Sequence, residues 1–140
     1  MDAAFGLVSL VTLPWWLAML LFPTSSATTR WVTSPLPYFV LAVTYGLFLI
    51  SSLLSGDGPA SLEASDLASS FASPLGFLTV WTHVLALDLF AGTWLFRDAK
   101  YYGVTPRLSL LLTWWFGPLG LGWYLYRRRR MRGPADRIVN

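Results

Sequence analysis

Residues 75–96 read LGFLTVWTHVLALDLFAGTWLF, an apolar stretch that only one histidine and one aspartate interrupt. A helix rises about 1.5 Å per residue, so about 20 apolar residues are enough to cross the hydrocarbon layer of a bilayer. Outward from this stretch, three segments without any charge hold 27 residues (3–29), 26 residues (31–56) and 19 residues (108–126). The sequence therefore predicts an all-α integral membrane bundle of four transmembrane helices.

The chain divides into a membrane domain, residues 1–126, and a basic tail, residues 127–140. Loops that contain glycine, proline and small polar residues place the four spans at about 3–22, 35–54, 75–96 and 108–126. A weakly amphipathic segment, 61–73, lies between the second and third spans. This segment is too short and too polar to cross a bilayer, so we expect a short helix at the membrane interface.

The composition excludes several classes of enzyme. Hydrophobic residues make up 55% of the chain and charged residues 12%, against roughly 25% charged in a soluble domain. The chain has no cysteine, which excludes disulfides, thiolate metal sites and cysteine nucleophiles. One histidine and seven acids in the whole chain argue against a histidine-bound iron site or a carboxylate-bridged metal pair. We therefore expect no metal.

Most of the positive charge lies at the carboxyl end. Six arginines fall within the last fourteen residues, directly after the fourth predicted span. A basic run in this position is expected to hold the chain at an anionic membrane face rather than to bind nucleic acid, at about 1 kcal/mol per basic side chain. Four spans would place both termini on one side, and this run predicts a cytoplasmic carboxyl terminus. Four basic residues on the opposite loops oppose that orientation: Arg30, Arg97, Lys100 and Arg107.

Two ionisable residues, His83 and Asp88, lie near the middle of the third span. An aspartate at the centre of a spanning helix costs some 2.5–3.5 kcal/mol, so it is a functional candidate by default. The two residues are five positions apart, about 140° around a helix, and are not expected to bond directly. Thr12, Thr44 and Tyr45 lie at similar predicted depth and could supply partners. The alternative is that both groups only form hydrogen bonds between helices, worth about 0.6 kcal/mol each.

Other residues are predicted to serve in substrate contact or packing. Gly117 lets a neighbour or ligand approach the backbone, and Pro118 lacks an N–H and is expected to kink the fourth span. Asp98 follows Arg97 at the membrane face, where a local ion pair would fix the depth of the span. The complete set predicted for substrate contact or packing is Trp94, Asp98, Gly92, Gly117 and Pro118.

Motifs spread along the chain resemble one known family. They are Leu13-Pro14-x-Trp16, Ser34-Pro35, Ser61-Leu62-Glu63, His83 with Leu87-Asp88-Leu89-Phe90-x-Gly92-x-Trp94, Arg97-Asp98, and Leu112-Thr113-x-x-Phe116-Gly117-Pro118-Leu119-Gly120. Together they cover nearly the whole chain as far as Tyr126. The sequence resembles the abscisic-acid-deficient-four-like integral membrane proteins, whose plant members are neoxanthin synthases.

The resemblance implies an activity on carotenoid epoxides. In that reaction the 5,6-epoxide of violaxanthin opens and a proton near the ring is lost, giving the allene of neoxanthin without net redox change. Such an isomerisation needs an acid, a base and no metal, nicotinamide or other cofactor. Our hypothesis is that Asp88 and His83 share the acid and base work and that Tyr45 is a further proton donor.

The location of the protein is a separate expectation. The chain shows no transit-like extension before its first span, so we expect a prokaryotic inner membrane, a photosynthetic membrane or a mature form.

Two alternatives to the isomerase stay open at this point. A non-catalytic subunit that binds carotenoid, or that packs into a larger membrane pigment–protein complex, fits the same features. The second alternative is a small membrane protein in which Asp88 only locks the helices together.

Overall fold

The computed structural model describes residues 1–130, which form seven α-helices and no β-strand. The helices are α1 (Asp2–Leu21), α2 (Ser26–Val32), α3 (Leu36–Leu54), α4 (Ala64–Ala72), α5 (Pro74–Tyr101), α6 (Arg107–Phe116) and α7 (Pro118–Arg128). The prediction of an all-α chain is therefore confirmed for this part of the sequence. Residues 131–140, which include two arginines of the predicted basic tail, lie outside the described residues.

Three stretches are long and apolar enough to cross a membrane: Asp2–Leu21, Ser26–Leu54 and Pro74–Tyr101. They correspond to the first three predicted spans and are expected of an integral membrane protein. The helix of the third predicted span, α5, is longer than predicted, because it continues through 97–101 instead of turning there. Helix α4 falls within the predicted interfacial segment 61–73.

The fourth predicted span, 108–126, is not found as one helix. Helix α6 ends at Phe116, Gly117 takes a positive φ of 46° with ψ at −103°, and α7 begins at Pro118. An ideal Cβ on Gly120 would lie 2.1 Å from the backbone nitrogen of Thr113. In a continuous helix residues seven apart are about 10.5 Å apart along the axis. Helices α6 and α7 therefore fold back on each other, and we call residues 107–128 the hairpin.

The hairpin returns to the end of α5 from which the chain left. Its last turns carry Tyr124 and Arg128, whose side chains both contact Asp98 near the end of α5. Its tip, Gly117, lies against Asp88, ten residues earlier in α5. Ten helical residues span about 15 Å, half of the roughly 30 Å hydrocarbon thickness, and α6 is also ten residues long. The hairpin thus matches a segment that enters the membrane halfway and leaves on the same side.

This geometry corrects two predictions. Pro118 does not kink a span but opens α7, a position where its missing N–H costs nothing. The inference that both termini lie on one side depended on a fourth crossing. With three crossings and a returning hairpin, that inference loses its basis.

The chain divides into two compact units. Unit 1 comprises Met1–Thr12 and Pro35–Ala86, and unit 2 comprises Leu13–Ser34 and Leu87–Asn140. In unit 1, the ring of Phe5 packs against Phe77 and Trp81, at 6.1 and 5.0 Å between ring centroids. The Trp81 indole also donates a hydrogen bond of 3.0 Å to the Ser9 hydroxyl. These contacts fix the first half of α1 against the first half of α5.

The core of unit 2 forms around Trp16. This side chain is fully buried and stacks on Trp114 of α6, with ring centroids 6.0 Å apart and an interplanar angle of 15°. Its ring lies on the backbone of Gly92, where an ideal Cβ would come within 2.5 Å of Trp16 Cη2. Gly92, predicted for substrate contact or packing, therefore serves here to let an indole ring approach α5.

Candidate functional site

Unit 1 contains a pocket of about 310 Å³. Helix α3 supplies one wall, the α3–α4 loop and α4 a second, and the first half of α5 a third. The lining residues are Tyr45, Leu49, Ser52, Gly58, Pro59, Ser70, Phe71, Gly76, Thr79, Val80 and His83. Most of the lining is apolar, as in typical small-molecule sites that use a few polar groups for orientation.

His83 and Tyr45 meet in this pocket. Their ring centroids are 5.8 Å apart with an interplanar angle of 45°, although the residues are 38 positions apart in the sequence. They are the two titratable groups among the lining residues that the structure describes. An imidazole and a phenol in an apolar pocket can act as a base and a proton donor toward a bound molecule.

Small residues bring α4 onto the start of α5 and so form the back of the pocket. The Ser70 hydroxyl donates a hydrogen bond of 2.7 Å to the carbonyl of Asp57. Gly76 lies directly on the Ser70 carbonyl oxygen, where an ideal Cβ would come within 1.9 Å. The Thr79 hydroxyl donates to the Leu75 carbonyl of its own helix at 2.8 Å, which satisfies it without a ligand. His83 and Tyr45 are therefore the groups in this pocket that are best suited to reactive chemistry.

Asp88 belongs to unit 2 and lies midway along α5 at the tip of the hairpin. An ideal Cβ on Gly117 would lie 2.7 Å from Asp88 Oδ1, so the carboxyl group rests on the glycine backbone. No hydrogen-bond donor among residues 1–130 pairs with this carboxyl group. If Asp88 served only to join two helices by a hydrogen bond, its carboxyl group would need such a donor, and residues 1–130 supply none. Asp88 therefore stays a candidate functional residue, as predicted from the sequence.

The structure brings together two of the three residues that the sequence grouped as catalytic. His83 and Tyr45 share the pocket of unit 1, and Asp88 lies in unit 2. Thr12 and Thr44, which were expected to supply partners, donate instead to the carbonyls of Ser9 at 3.1 Å and Val40 at 2.8 Å. Threonines in helices commonly bond back in this way, because the preceding turn offers a free lone pair within reach.

A polar cluster around Asp98 closes the open end of the hairpin. The Tyr124 hydroxyl donates to Asp98 Oδ2 at 2.7 Å, and Arg128 Nε forms an ion pair with the same oxygen at 2.8 Å. The Arg128 guanidinium also lies over the rings of Trp94 and Tyr102, 5.9 and 5.4 Å from their centroids. We call this cluster the clasp: Trp94, Asp98, Tyr102, Tyr124 and Arg128.

The clasp corrects the expected pairing of Asp98. The sequence suggested an ion pair with neighbouring Arg97, but α5 continues through both residues and consecutive helical side chains do not face each other. Burial and the hydrogen bond to Asp98 raise the pKa of Tyr124, so the phenol stays a donor at neutral pH. Asp98 and Trp94 therefore hold α7 against α5.

Sequence reasoning missed several residues that build these sites. Trp16 and Trp114 are 98 positions apart, and Tyr124 is 26 positions from Asp98. Trp16 entered the sequence analysis only as part of a motif, and nothing local to Trp114 or Tyr124 indicates which residues they contact. Only the turn at Gly117 brings the hairpin residues to their partners.

These features define a class: an all-helical protein with three helical stretches long enough to span a membrane, a helical hairpin, and an apolar pocket that carries an imidazole and a phenol. Comparison with known proteins narrows the class. The chain belongs to the ABA DEFICIENT 4-like family, whose model matches residues 3–124. The resemblance inferred from the motifs is thereby confirmed.

One curated relative is the protein named ABA DEFICIENT 4, chloroplastic, of Arabidopsis thaliana. It is 27% identical over 131 residues, which cover 86% of this chain and 58% of the relative. The chain therefore spans a little over half the length of that protein. No solved structure matches the chain. The relative is chloroplastic, so the expectation of a prokaryotic source gains no support from it.

Proposed function

We propose that this chain isomerises a 5,6-epoxycarotenoid to an allenic carotenoid in the membrane. The substrate class follows from the resemblance of its family to neoxanthin synthases. The observation that carries the proposal on this chain is the pocket of unit 1, where His83 and Tyr45 meet among apolar walls. A cyclic end group of a carotenoid would enter this pocket from the lipid phase.

The reaction balances without any co-reactant. A base removes the proton from the polyene carbon next to C6 of the ring, and that electron pair forms the second double bond of the allene. The bond between C6 and the epoxide oxygen breaks, and the oxygen stays on C5 as a hydroxyl after it accepts a proton. One proton leaves and one is added, so the product is an isomer of the substrate.

The two pocket side chains match these two proton transfers. A neutral imidazole can accept the proton from carbon, and a phenol can donate to the epoxide oxygen. General acid–base groups of this kind typically contribute about a hundred- to ten-thousandfold to a rate. Asp88 is proposed as a further acid–base group, independently of the pocket. It is a carboxyl group without a partner among residues 1–130, at mid-membrane depth by its position in α5.

Expression in a host that accumulates violaxanthin, followed by chromatography of its pigments, tests the proposal. The wild-type chain is expected to produce an allenic isomer of the same mass. His83→Gln and Tyr45→Phe are each expected to lower conversion about a hundredfold or more. Tyr101→Phe is the matched control, because Tyr101 is exposed and lies outside the pocket.

The results separate catalysis from binding. Unchanged pigment in cells that contain well-folded, membrane-inserted protein would refute the isomerase. If the purified protein then retains carotenoid, the non-catalytic carotenoid-binding subunit is the better description. Asp88→Asn is assayed separately, and full conversion by this variant would remove Asp88 from the chemistry while leaving the pocket hypothesis intact.

A further inference from the structure

Lysine and arginine are confined to one of the two units. All eight lysine and arginine residues of the described chain lie in unit 2, and unit 1 has acids but neither lysine nor arginine. Within residues 97–130 there are seven basic residues and one acid beside them, Asp98. A single carboxylate cannot neutralise this set, so a strong excess of positive charge stays with unit 2.

The hairpin gathers this charge at one end of unit 2. Arg97 and Lys100 lie in the last turns of α5, and Arg107 opens α6. The end of α7 returns to the same place, because Arg128 pairs with Asp98. Lys100 also donates a hydrogen bond to the Thr29 hydroxyl of α2. A fourth membrane crossing would have separated these residues onto two membrane faces.

A pocket of about 330 Å³ lies within this basic end. It is lined by Tyr102, Leu125, Arg128 and Arg129. The clasp holds Arg128 in place through Asp98 and through the Trp94 and Tyr102 rings. The side chain of Arg129 is exposed and pairs with no polar group among residues 1–130. One arginine is thus preorganised and the next is free to bind.

We propose that this pocket binds the phosphate of an anionic phospholipid headgroup. The guanidinium groups of Arg128 and Arg129, which both line the pocket, provide planar donors that suit phosphate oxygens. The apolar side of the pocket, Leu125, favours the glycerol end of a lipid over a free ion. Trp123 and Tyr126 on α7 are exposed aromatic residues of the kind that lie at headgroup level.

The site is tested with the purified full-length chain and two lipids, phosphatidylglycerol and phosphatidylcholine. Native mass spectrometry of protein released from mixed micelles is expected to retain phosphatidylglycerol in preference to phosphatidylcholine. Arg129→Gln is expected to lower the bound fraction about tenfold or more, because it removes charge-assisted hydrogen bonds to phosphate. Arg130→Gln removes the same charge outside the pocket, where Arg130 contacts Tyr126, and should leave binding unchanged.

A second measurement distinguishes loss of the lipid site from misfolding of the variant. Phosphatidylglycerol should raise the melting temperature of the wild-type chain and of Arg130→Gln but not of Arg129→Gln, while all three melt alike without it. Equal loss of lipid in both variants would mean diffuse surface attraction and would overturn the site. Displacement of the lipid by inorganic phosphate alone would assign the pocket to a soluble phosphate and overturn the lipid proposal.

Discussion

At the scale of single residues, two glycines determine how closely α5 can be approached. Gly117 adopts φ 46° and rests on the Asp88 carboxyl group, and Gly92 accepts the ring of Trp16. From the sequence, both positions were predicted to serve in substrate contact or packing. The structure identifies what comes near: a carboxyl group at the hairpin tip and a fully buried indole.

Gly117→Ala should destabilise the protein. A side chain at φ 46° is strained, and its methyl group would lie 2.7 Å from Asp88 Oδ1. We expect a loss of about 1–3 kcal/mol in the free energy of unfolding, measured by denaturation in detergent. Gly122→Ala is the matched control on α7, since nothing lies within 4 Å of its ideal Cβ. Equal stability of the two variants would contradict the turn at Gly117.

Gly92→Ala tests the packing of Trp16 independently of the hairpin turn. The added methyl group would lie 2.5 Å from Trp16 Cη2, and the indole cannot move away easily because it stacks on Trp114. Overpacking of this kind typically costs about 1–3 kcal/mol. Gly46→Ala, on α3 with open space around its ideal Cβ, should have little effect in the same thermal denaturation assay.

The Tyr124 phenol makes stability depend on pH in the alkaline range. Burial and the hydrogen bond to Asp98 raise its pKa in the folded protein, so the folded state favours the neutral phenol. Its contribution is therefore fully present below the ordinary tyrosine pKa of about 10 and is lost as the pH rises toward and through the raised value. Melting temperatures above about pH 10 should fall more steeply for the wild type than for Tyr124→Phe. Parallel curves would contradict this role.

At the scale of elements, the hairpin depends on its clasp. An apolar α6–α7 pair could lie in several positions against α5. The hydrogen bond from Tyr124 and the ion pair of Arg128, both with the same Asp98 oxygen, favour the observed position. Gly117 is buried against protein, which is the condition under which a non-helical turn is tolerated at membrane depth. Asp98 and Trp94 thus contribute to the packing of α7 against α5.

A double-mutant cycle with Asp98→Asn and Tyr124→Phe measures the clasp. The hydrogen bond is made to a charged, partly buried acceptor, so we expect a coupling energy of about 0.5–3 kcal/mol in the free energy of unfolding. The control cycle uses the exposed contact between Arg130 and Tyr126, which should show coupling near zero. Coupling in the control that matches the clasp would argue that neither contact is specific.

At the scale of the whole molecule, the number of crossings sets the orientation of the chain. Three helices are long enough to cross a membrane, and the hairpin returns to the side of the α5 carboxyl end. The basic residues from Arg97 to Arg130 then gather at the carboxyl end of α5, and we propose that this end faces the cytoplasmic or equivalent compartment, as the positive-inside rule favours. The sequence had divided the same residues between two faces.

Single-cysteine labelling tests this topology, and the natural absence of cysteine leaves no background. Cysteines at Gly103, between α5 and α6, and at Arg130, after α7, should react with a membrane-impermeant maleimide from the same side. A cysteine at Ala60, before α5, should react from the opposite side. Labelling of the Arg130 position together with Ala60 and apart from Gly103 would restore the fourth crossing.

The class of protein, the three long helices and the family could all be predicted from the amino-acid sequence. These follow from sums over consecutive residues, because the length and hydropathy of a stretch decide whether it can cross a bilayer. The sequence also placed His83 and Asp88 near mid-membrane, since depth along a helix is counted directly along the chain. His83, Asp88 and Tyr45 could be selected as candidates because polar groups at that depth are costly.

Which of these residues contact one another depends on how the helices pack. Residues 108–126 are apolar enough for one crossing or for a returning hairpin, and the choice depends on one backbone dihedral at Gly117 and on partners 26 to 30 positions away at Asp98. The pairing of His83 with Tyr45, and the pocket they share, likewise depends on how α3, α4 and α5 pack. Local hydropathy does not include contacts between distant residues, and those contacts are what build a site.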